Sequence, residues 1–409
     1  MHILYLHQYF CPPGGSGGTR SFEIARRLVK NGHRVTMVTS SAFFPPNYKF
    51  TKNGKDSIEG INLLIAKVKY NNSMSFNRRI YAFLEFILKA TFLTLKIKKT
   101  DLVYATSTPL TIIIPAFIVS RVRKKPLVFE IRDLWPELPI AIGAIKNPLL
   151  KILTRYLEKW SYLSSDKIIA LSPGMKKTMV NQGIKKDIIS IIPNGCDLDL
   201  FRTKKIIKNE FIQKNLLVSS NPIVLYAGTF GTINNISYII DLAHESLKLG
   251  YKINFILCGD GTEKKIILER AKKLNVLEEN LWIIDSIPKS YIPQIFNIAT
   301  VSISVFQNIA EMENNSANKF FDTLASGKPI VINYKGWQAQ IIEQSGVGIV
   351  LPYEDKIKAI KNLNNFLKDK KRINYASSQC EVLSKGKFNR ERQIKKLISI
   401  LEDIHKKKI

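Results

Sequence analysis

From one end of the chain to the other, short apolar runs alternate with segments of helical period. This is the pattern of parallel sheets covered by helices. The first series predicts a strand at 2–6, a glycine-rich loop, a helix over 20–30, and strands at 34–39, 102–106, 127–131, 167–170 and 188–192. After the Lys- and Asn-rich stretch 204–221, a second series predicts strands at 223–227, 253–258, 281–284, 301–305 and 329–332. Each ends near Gly, Asp or Ser, where a doubly wound sheet presents its ligand-facing loops. A chain of 409 residues exceeds the length at which one core stops growing. The expected architecture is α/β, with two Rossmann-like, doubly wound domains facing across a cleft, at 1–203 and 204–388. Apolar Ile394, Leu397, Ile398 and Leu401 recur at helical spacing, so a final helix at 389–409 is expected to cross back to the first domain.

Composition leaves the globular reading intact, with 45% hydrophobic and 23% charged residues. The net charge of +29 adds a positive surface field and suggests a polyanionic partner, whether phospholipid, nucleic acid or a phosphorylated substrate. No helix-turn-helix, RNP or zinc pattern accompanies the charge, so a basic nucleic-acid-binding protein is the weaker alternative and no nucleic-acid partner is expected. Cys11, Cys196, Cys258 and Cys380 are scattered without a CxxC pair, which argues against a disulfide framework or a zinc site and fits a reducing cytoplasm. No apolar run reaches 18 residues. The nearest, 81–95, is broken by Glu85 and Lys89, and 110–119 is too short to span a bilayer. The opening MHILYLHQYF reads as a strand, not a signal peptide.

Several segments carry candidate chemistry. In PPGGSGGTR (12–20), between a strand and a helix, glycines let backbone N–H groups approach an oxyanion at a helix N-terminus; a plain glycine-rich turn is the alternative. In FEIRDLWPE (129–137) a strand ends in charges. There Asp133 or Glu137 can act as base or orient an acceptor hydroxyl, and Arg132 can meet phosphate, unless the cluster only caps the junction. YAGTFG (226–231) and CGDG (258–261) are two glycine turns at strand ends. The most specific segment is NNSANKFFDTLASGKP (314–329): a polar turn opens a helix whose first amides suit a diphosphate, and Lys319 adds charge. Asp322 follows three residues later on the same side, placed to accept from ribose hydroxyls, unless it is simply an exposed helix residue.

Taken in order, YLHQYFCPPGGSGGTR, GHRVTMVTS, FEIRDLWPE, LSPGMKK, IIPNGCDLDLF, YAGTFG, CGDG and SANKFFDTLASGKPIV resemble glycosyltransferase family 4 over nearly the whole chain. The likeness is greatest to its bacterial polysaccharide subgroup of fucosamine and N-acetylaminosugar transferases. The resemblance implies a GT-B fold, a UDP-sugar donor in the C-terminal domain, an acceptor against the N-terminal domain, and transfer with retention. It implies no metal and no other cofactor, since basic residues and helix dipoles neutralise the leaving diphosphate. Carried over by position, Gly17 and Gly18 close over phosphate, and Arg132 and Asp133 stand near the reacting centre. Gly228, Thr229, Asp260, Gly261 and Ile287 line the nucleotide. Ser316, Ala317, Asn318 and Lys319 face the diphosphate and sugar. Asp322 is the last acidic residue of the family's Glu-x7-Glu motif. The first acidic position is Asn314 here, with Glu313 adjacent. Thr229 and Asn234-Asn235 stand where relatives often carry Arg or Lys, so neutralisation depends on Lys319, Arg132 and amide dipoles. A GT-B-like nucleotide-sugar 2-epimerase is the alternative enzyme.

Between Arg78 and Lys125 ten basic residues meet two acidic ones, interleaved with the apolar stretches. Arg78, Arg79, Lys96, Lys98 and Lys99 are the candidate membrane and acceptor contacts, each cation near an anionic surface adding about 1 kcal/mol. Core helices with solvated lysines are the plainer reading. The expectation is a cytoplasmic protein, peripheral on the inner face of the cell membrane. Its expected acceptor is a polyprenyl-diphosphate-linked glycan in O-antigen, capsule or exopolysaccharide synthesis.

Overall fold

The apolar run His2–Leu6 (β1) takes an inner place in an eight-stranded sheet because its alternate residues find cores on both faces. The computed structural model describes residues 1–15, 18–45, 47–51, 55–70, 74–201 and 220–407. It divides into two units, Met1–Pro193 with Gln393–Ile409, and Asn194–Arg392. In unit 1 the strand order is β3-β4-β2-β1-β5-β6-β7-β8. The remaining strands are β2 (Arg34–Ser40), β3 (Lys55–Ile58), β4 (Ile61–Ala66), β5 (Leu102–Thr106), β6 (Leu127–Ile131), β7 (Lys167–Ala170) and β8 (Ile189–Ile191). All pairs are parallel except β3 with β4. That hairpin is absent from the sequence reading. Its two-residue turn has Glu59 at φ 47° and Gly60 at φ 78°, the left-handed pair that matches strand twist, and glutamate is a weak signal for such a position.

Leu4 and Leu6 point to one face of the sheet, Ile3 and Tyr5 to the other. Helices α2 (Phe76–Leu95), α3 (Ile113–Arg123), α5 (Pro148–Leu163) and α6 (Pro173–Asn181) cover the first face through residues such as Phe86, Ala116, Tyr162 and Met175. Helix α1 (Arg20–Lys30) and the final helix α15 (Arg390–Lys406) contribute to the core on the second face; Ile394, Leu397, Ile398 and Leu401 join Ile3 and Tyr5 there. The short helices α4 (Glu137–Ala141) and α7 (Leu198–Phe201) lie in connections.

Unit 2 is a six-stranded, wholly parallel sheet of order β11-β10-β9-β12-β13-β14. Its strands are β9 (Ile223–Ala227), β10 (Asn254–Cys258), β11 (Leu281–Ile284), β12 (Val301–Ser304), β13 (Ile330–Ile332) and β14 (Gly348–Val350). Its helices are α8 (Ser237–Lys248), α9 (Lys264–Lys273), α10 (Ile292–Ile298), α11 (Asn318–Ala325), α12 (Trp337–Ser345), α13 (Lys356–Lys368) and α14 (Lys370–Lys385). Strand β14 escapes a pattern reading because three residues opening on glycine carry no period. Both sheets are Rossmann-like. Among the described residues no helix is long and apolar enough to cross a membrane.

A buried ion pair fixes the start of α1. Arg20 Nη2 and Nε donate to Glu130 Oε2 at 2.7 and 3.1 Å, and the remaining Arg20 donors reach the carbonyls of Ile192 and Pro193, both at 2.9 Å. Tyr104 and Thr106 hydroxyls, each at 2.8 Å, complete the Glu130 carboxylate. Burial alone would raise the Glu130 pKa, yet the Arg20 charge and these hydrogen bonds hold it below the ordinary value. Removing one partner strands the other in the core. Glu130→Ala should therefore cost about 3–5 kcal/mol in urea unfolding followed by circular dichroism, and a loss under about 1 kcal/mol would show that the pair does not anchor the helix.

Candidate functional site

In unit 2 the ends of β9 and β10 lie side by side, Ala227 opposite Cys258, and their glycine turns interlock. Gly228 N donates to Cys258 O at 2.9 Å, Phe230 N to Asp260 O at 2.8 Å, and Gly259 N to Ile284 O at 3.0 Å. A Cβ on Gly259 would lie 1.9 Å from Gly228 O, so only glycine admits this approach. Beside them the turn 314–317 opens α11. Asn315 Oδ1 accepts from Ala317 N at 2.9 Å. The next two carbonyls are clamped, Asn315 O by Trp337 Nε1 and Ser316 O by Asn194 Nδ2, both at 2.6 Å. Trp337 is itself set among Phe320, Phe321 and Phe388.

The N-cap residue Ala317 supplies no side-chain acceptor, so the first-turn amides of α11 carry no side-chain cap, the kind of helix start that suits an anion. Lys319 occupies the same place. Its Nζ lies 3.2 Å from Asn234 Oδ1, 5.1 Å from the Tyr226 ring centre and 5.8 Å from that of Phe306. A Cβ on Gly228 would come within 2.2 Å of Lys319 Cε, so glycine there makes room for the lysine stem. Burial lowers the Lys319 pKa to about 8, against the opposing pull of the Asp322 charge. Asp322 is half-buried one turn on, Asn314 is half-buried, and the adjacent Glu313 is exposed.

The other candidates gather here with differing roles. Asp260 turns back on its own loop, Oδ1 accepting from Gly261 N at 2.8 Å, and is exposed. Thr229 is exposed, and its carbonyl accepts from Tyr226 Oη at 2.8 Å. Ile287 is half-buried beside Cys258. Asn194 and Trp337 were not anticipated, because each acts on the turn from another part of the chain, Asn194 from 122 residues away and Trp337 from the start of the next helix. The PNG triplet at 193–195 was the one visible signal, and it points to Asn194 alone.

In unit 1 the end of β6 presents Arg132 and Asp133. Arg132 N donates to Ser107 Oγ at 3.0 Å, and Thr108 Oγ1 donates to Asp133 Oδ2 at 3.3 Å. Burial pushes the Asp133 pKa up, with Arg132 and Thr108 pulling the other way. His7, which the sequence reading passed over as strand continuation, lies directly beyond β1 beside this pair. Its Nε2 is 3.4 Å from Arg132 Nη1, and Nδ1 is 2.8 Å from Ser21 Oγ. Arginine only donates, so Nε2 accepts and the ring proton on Nδ1 faces Ser21. Burial and the Arg132 charge keep His7 neutral, with its pKa well below the ordinary value.

Glu137 is taken by Arg155 through contacts of 2.8 and 3.2 Å, which leaves Asp133 as the carboxylate of this cluster. Gly17 lies outside the described residues, and Gly18 is exposed before α1. Arg78 and Arg79 stand in the first turn of α2 and Lys96, Lys98 and Lys99 just past its end; Arg79 donates to Met74 O at 3.0 Å and Lys96 Nζ lies 4.0 Å from the Phe92 ring centre. Among the described residues no group of three His, Cys, Asp or Glu is placed to hold a metal ion.

Residues 14–200 match the model of Glycosyltransferase Family 4, and residues 207–381 that of Glycosyl transferases group 1. Comparison with curated protein sequences found no match. Among solved structures, the chain is similar to sucrose-phosphate synthase from Thermosynechococcus elongatus, with 15% identity, 98% of each chain covered and a TM-score of 0.77. Anabaena HepE in complex with UDP-glucose is similar at 16% identity, covering 98% of this chain and 100% of that one, with a TM-score of 0.69. WaaG, a glycosyltransferase involved in lipopolysaccharide biosynthesis, is similar at 15% identity, with 98% and 99% covered and a TM-score of 0.70. At these identities the structural likeness speaks for the fold.

The Lys319 pKa has a direct consequence for binding. A diphosphate bound here would favour the charged lysine, so its binding above pH 8 would require proton uptake. Affinity for UDP, measured by isothermal titration calorimetry, should be flat from about pH 7, where the terminal phosphate is mostly ionised, to pH 8 and fall by roughly tenfold for each pH unit above it, while Lys319→Met should bind weakly without that dependence. Equal affinity of the native protein at pH 7 and pH 9.5 would contradict a role for this ammonium.

Proposed function

Because the chain is a glycosyltransferase of the GT-B type, with a family 4 N-terminal domain and a group 1 C-terminal domain, we propose that it moves a sugar from a UDP-sugar to a lipid-linked glycan. The observation that carries this reading is the clamped turn 314–317 opening α11, with Lys319 in the first turn of that helix beside Gly228 and Asp322 one turn on. The diphosphate lies against the α11 amides and Lys319, the ribose hydroxyls donate to Asp322, and the nucleotide runs along Gly228, Gly261 and Ile287. Asn314 takes a sugar hydroxyl in place of the family's first acidic residue. That HepE was solved with UDP-glucose and an E. coli trehalose-6-phosphate enzyme with UDP-2-fluoroglucose supports the donor class. The resemblance to aminosugar transferases points to an N-acetylaminosugar and to O-antigen, capsule or exopolysaccharide synthesis.

In the proposed reaction the configuration at the anomeric carbon is retained. The bond from that carbon to the diphosphate breaks as the acceptor oxygen approaches the same face, and the departing diphosphate oxygen takes the acceptor proton. Lys319 and the helix amides offset the developing charge, so the step needs no metal ion. In unit 1, Asp133 orients the acceptor hydroxyl, with the Arg132 guanidinium held by neutral His7. The acceptor is a polyprenyl-diphosphate-linked glycan on an anionic cytoplasmic leaflet, a setting supported by the net charge of +29 and the basic residues at both ends of α2.

Release of UDP only in the presence of a lipid-linked acceptor is the expected result of a coupled assay; sugar interconversion without acceptor would instead identify an epimerase. Asp322→Ala should weaken UDP binding by about ten- to a hundredfold, the worth of one or two charge-assisted hydrogen bonds. Asp133→Asn should lower turnover while UDP affinity stays unchanged, and undiminished turnover would remove Asp133 from the reaction.

A further inference from the structure

Helices α2, α3 and α5 form one layer on the sheet of unit 1. Phe117 of α3 packs on Trp160 of α5 with ring centres 4.9 Å apart, Arg121 Nη2 donates to Ser164 O at the end of α5 at 3.2 Å, and Arg123 Nη2 donates to Leu95 O at the end of α2 at 2.6 Å. On α2 the inward positions Ala82, Phe86 and Ala90 are buried, while Tyr81, Leu84, Leu88 and Phe92 recur at helical spacing on the outward side. On α5 the outward positions Leu149, Ile152, Leu153, Tyr156 and Leu163 do the same. Leu88 is 73% exposed, Ile152 63% and Tyr156 72%. Ten of the eighteen large hydrophobic residues exposed among the described ones lie on these three helices. That concentration separates a patch from the scattered apolar residues of any protein surface.

We infer that this two-sided apolar face, α2 and α5 with α3 between them, inserts into the headgroup layer of an anionic bilayer. The charge around it selects the occupant. Across 76–99, 113–125 and 146–163 fourteen lysines and arginines stand with two glutamates; Glu85 is paired with Lys89 at 2.5 Å, Glu158 is buried, and of the cations Arg155 is taken by Glu137. A second copy of the chain would bring the same positive rim against itself. An anionic lipid surface complements the rim and takes up the apolar side chains at once, with Tyr81, Tyr156 and Phe92 suited to the interface and Lys96 reaching outward along the Phe92 ring. The inference rests on the membrane reading proposed above and adds insertion by α5 and α2 to attraction by charge.

The four native cysteines are buried, so a cysteine placed on this face can be labelled selectively with an environment-sensitive dye. With vesicles of phosphatidylglycerol and phosphatidylethanolamine, labels at Leu88→Cys and Ile152→Cys should shift to the blue. A label at Val382→Cys on α14 should not. Binding should survive in part at about 1 M salt, where charges are screened within about 3 Å. The double variant Leu88→Gln with Tyr156→Gln should lower partitioning by about tenfold or more with an unchanged circular dichroism spectrum. Vesicle binding with both labels still in water, or with the double variant unaffected, overturns insertion and leaves the electrostatic membrane reading standing. No binding at low salt overturns both. A label shift without vesicles, tracking a monomer–dimer equilibrium in sedimentation, overturns the inference in favour of a second copy on this face.

Discussion

The stem of Lys319 passes through the space that a side chain on Gly228 would fill, and the unit 2 site is arranged around that passage. For the lysine to cross the end of β9, the strand must end in glycine. For Gly228 to keep its bond to Cys258, the turn after β10 must come so close that Gly259 too has no room for a side chain. The ammonium then rests on aromatic faces and one amide oxygen, with Asp322 as the nearby countercharge. A cation so poorly compensated has its charged form disfavoured, and the diphosphate proposed for this site would remove that penalty. The α11 turn supplies the geometry for the same ligand through backbone amides, and its carbonyls are held by Asn194 and Trp337 so that the amides need not reorganise.

Unit 1 solves a different problem. Its carboxylate Glu130 is saturated by Arg20, Tyr104 and Thr106 and serves the scaffold. Three residues further along the same chain, Asp133 has one hydroxyl donor and the neighbouring arginine, which leaves it able to accept from a further donor. The contrast between two acids on one strand end comes from partners, since residue type and near position are shared. His7 belongs with the second set, since it stays neutral and holds the Arg132 guanidinium without competing for Asp133.

The long apolar strands were legible because burial on both faces leaves an unbroken run, and their ends were read to within a residue or so: 188–192 becomes Ile189–Ile191, and 253–258 becomes Asn254–Cys258. The β3–β4 hairpin and β14 were not legible, one hidden by glutamate in a left-handed turn position and the other by its length. Local motifs placed Gly228, Lys319 and Asp322 together, since a strand end and a helix start can be recognised from neighbours in sequence. Asn194, Trp337 and His7 could not be found that way, because what each does depends on a partner more than a hundred residues off or on another element. Helix α5 shows the limit of periodicity most plainly. When both sides of a helix are apolar, the pattern does not say which side the core takes, and only the packing of Tyr162 and the buried Glu158 shows that Leu149, Ile152 and Tyr156 face outward.

The central claim is that the α11 turn and the β9 glycine turn together receive a nucleoside diphosphate. Hydrogen exchange of the intact chain with and without UDP tests it most directly. Slowed exchange confined chiefly to amides 315–320 and 228–231 is the predicted result. Unchanged exchange at both turns under saturating UDP, with protection appearing elsewhere in unit 2, would contradict it.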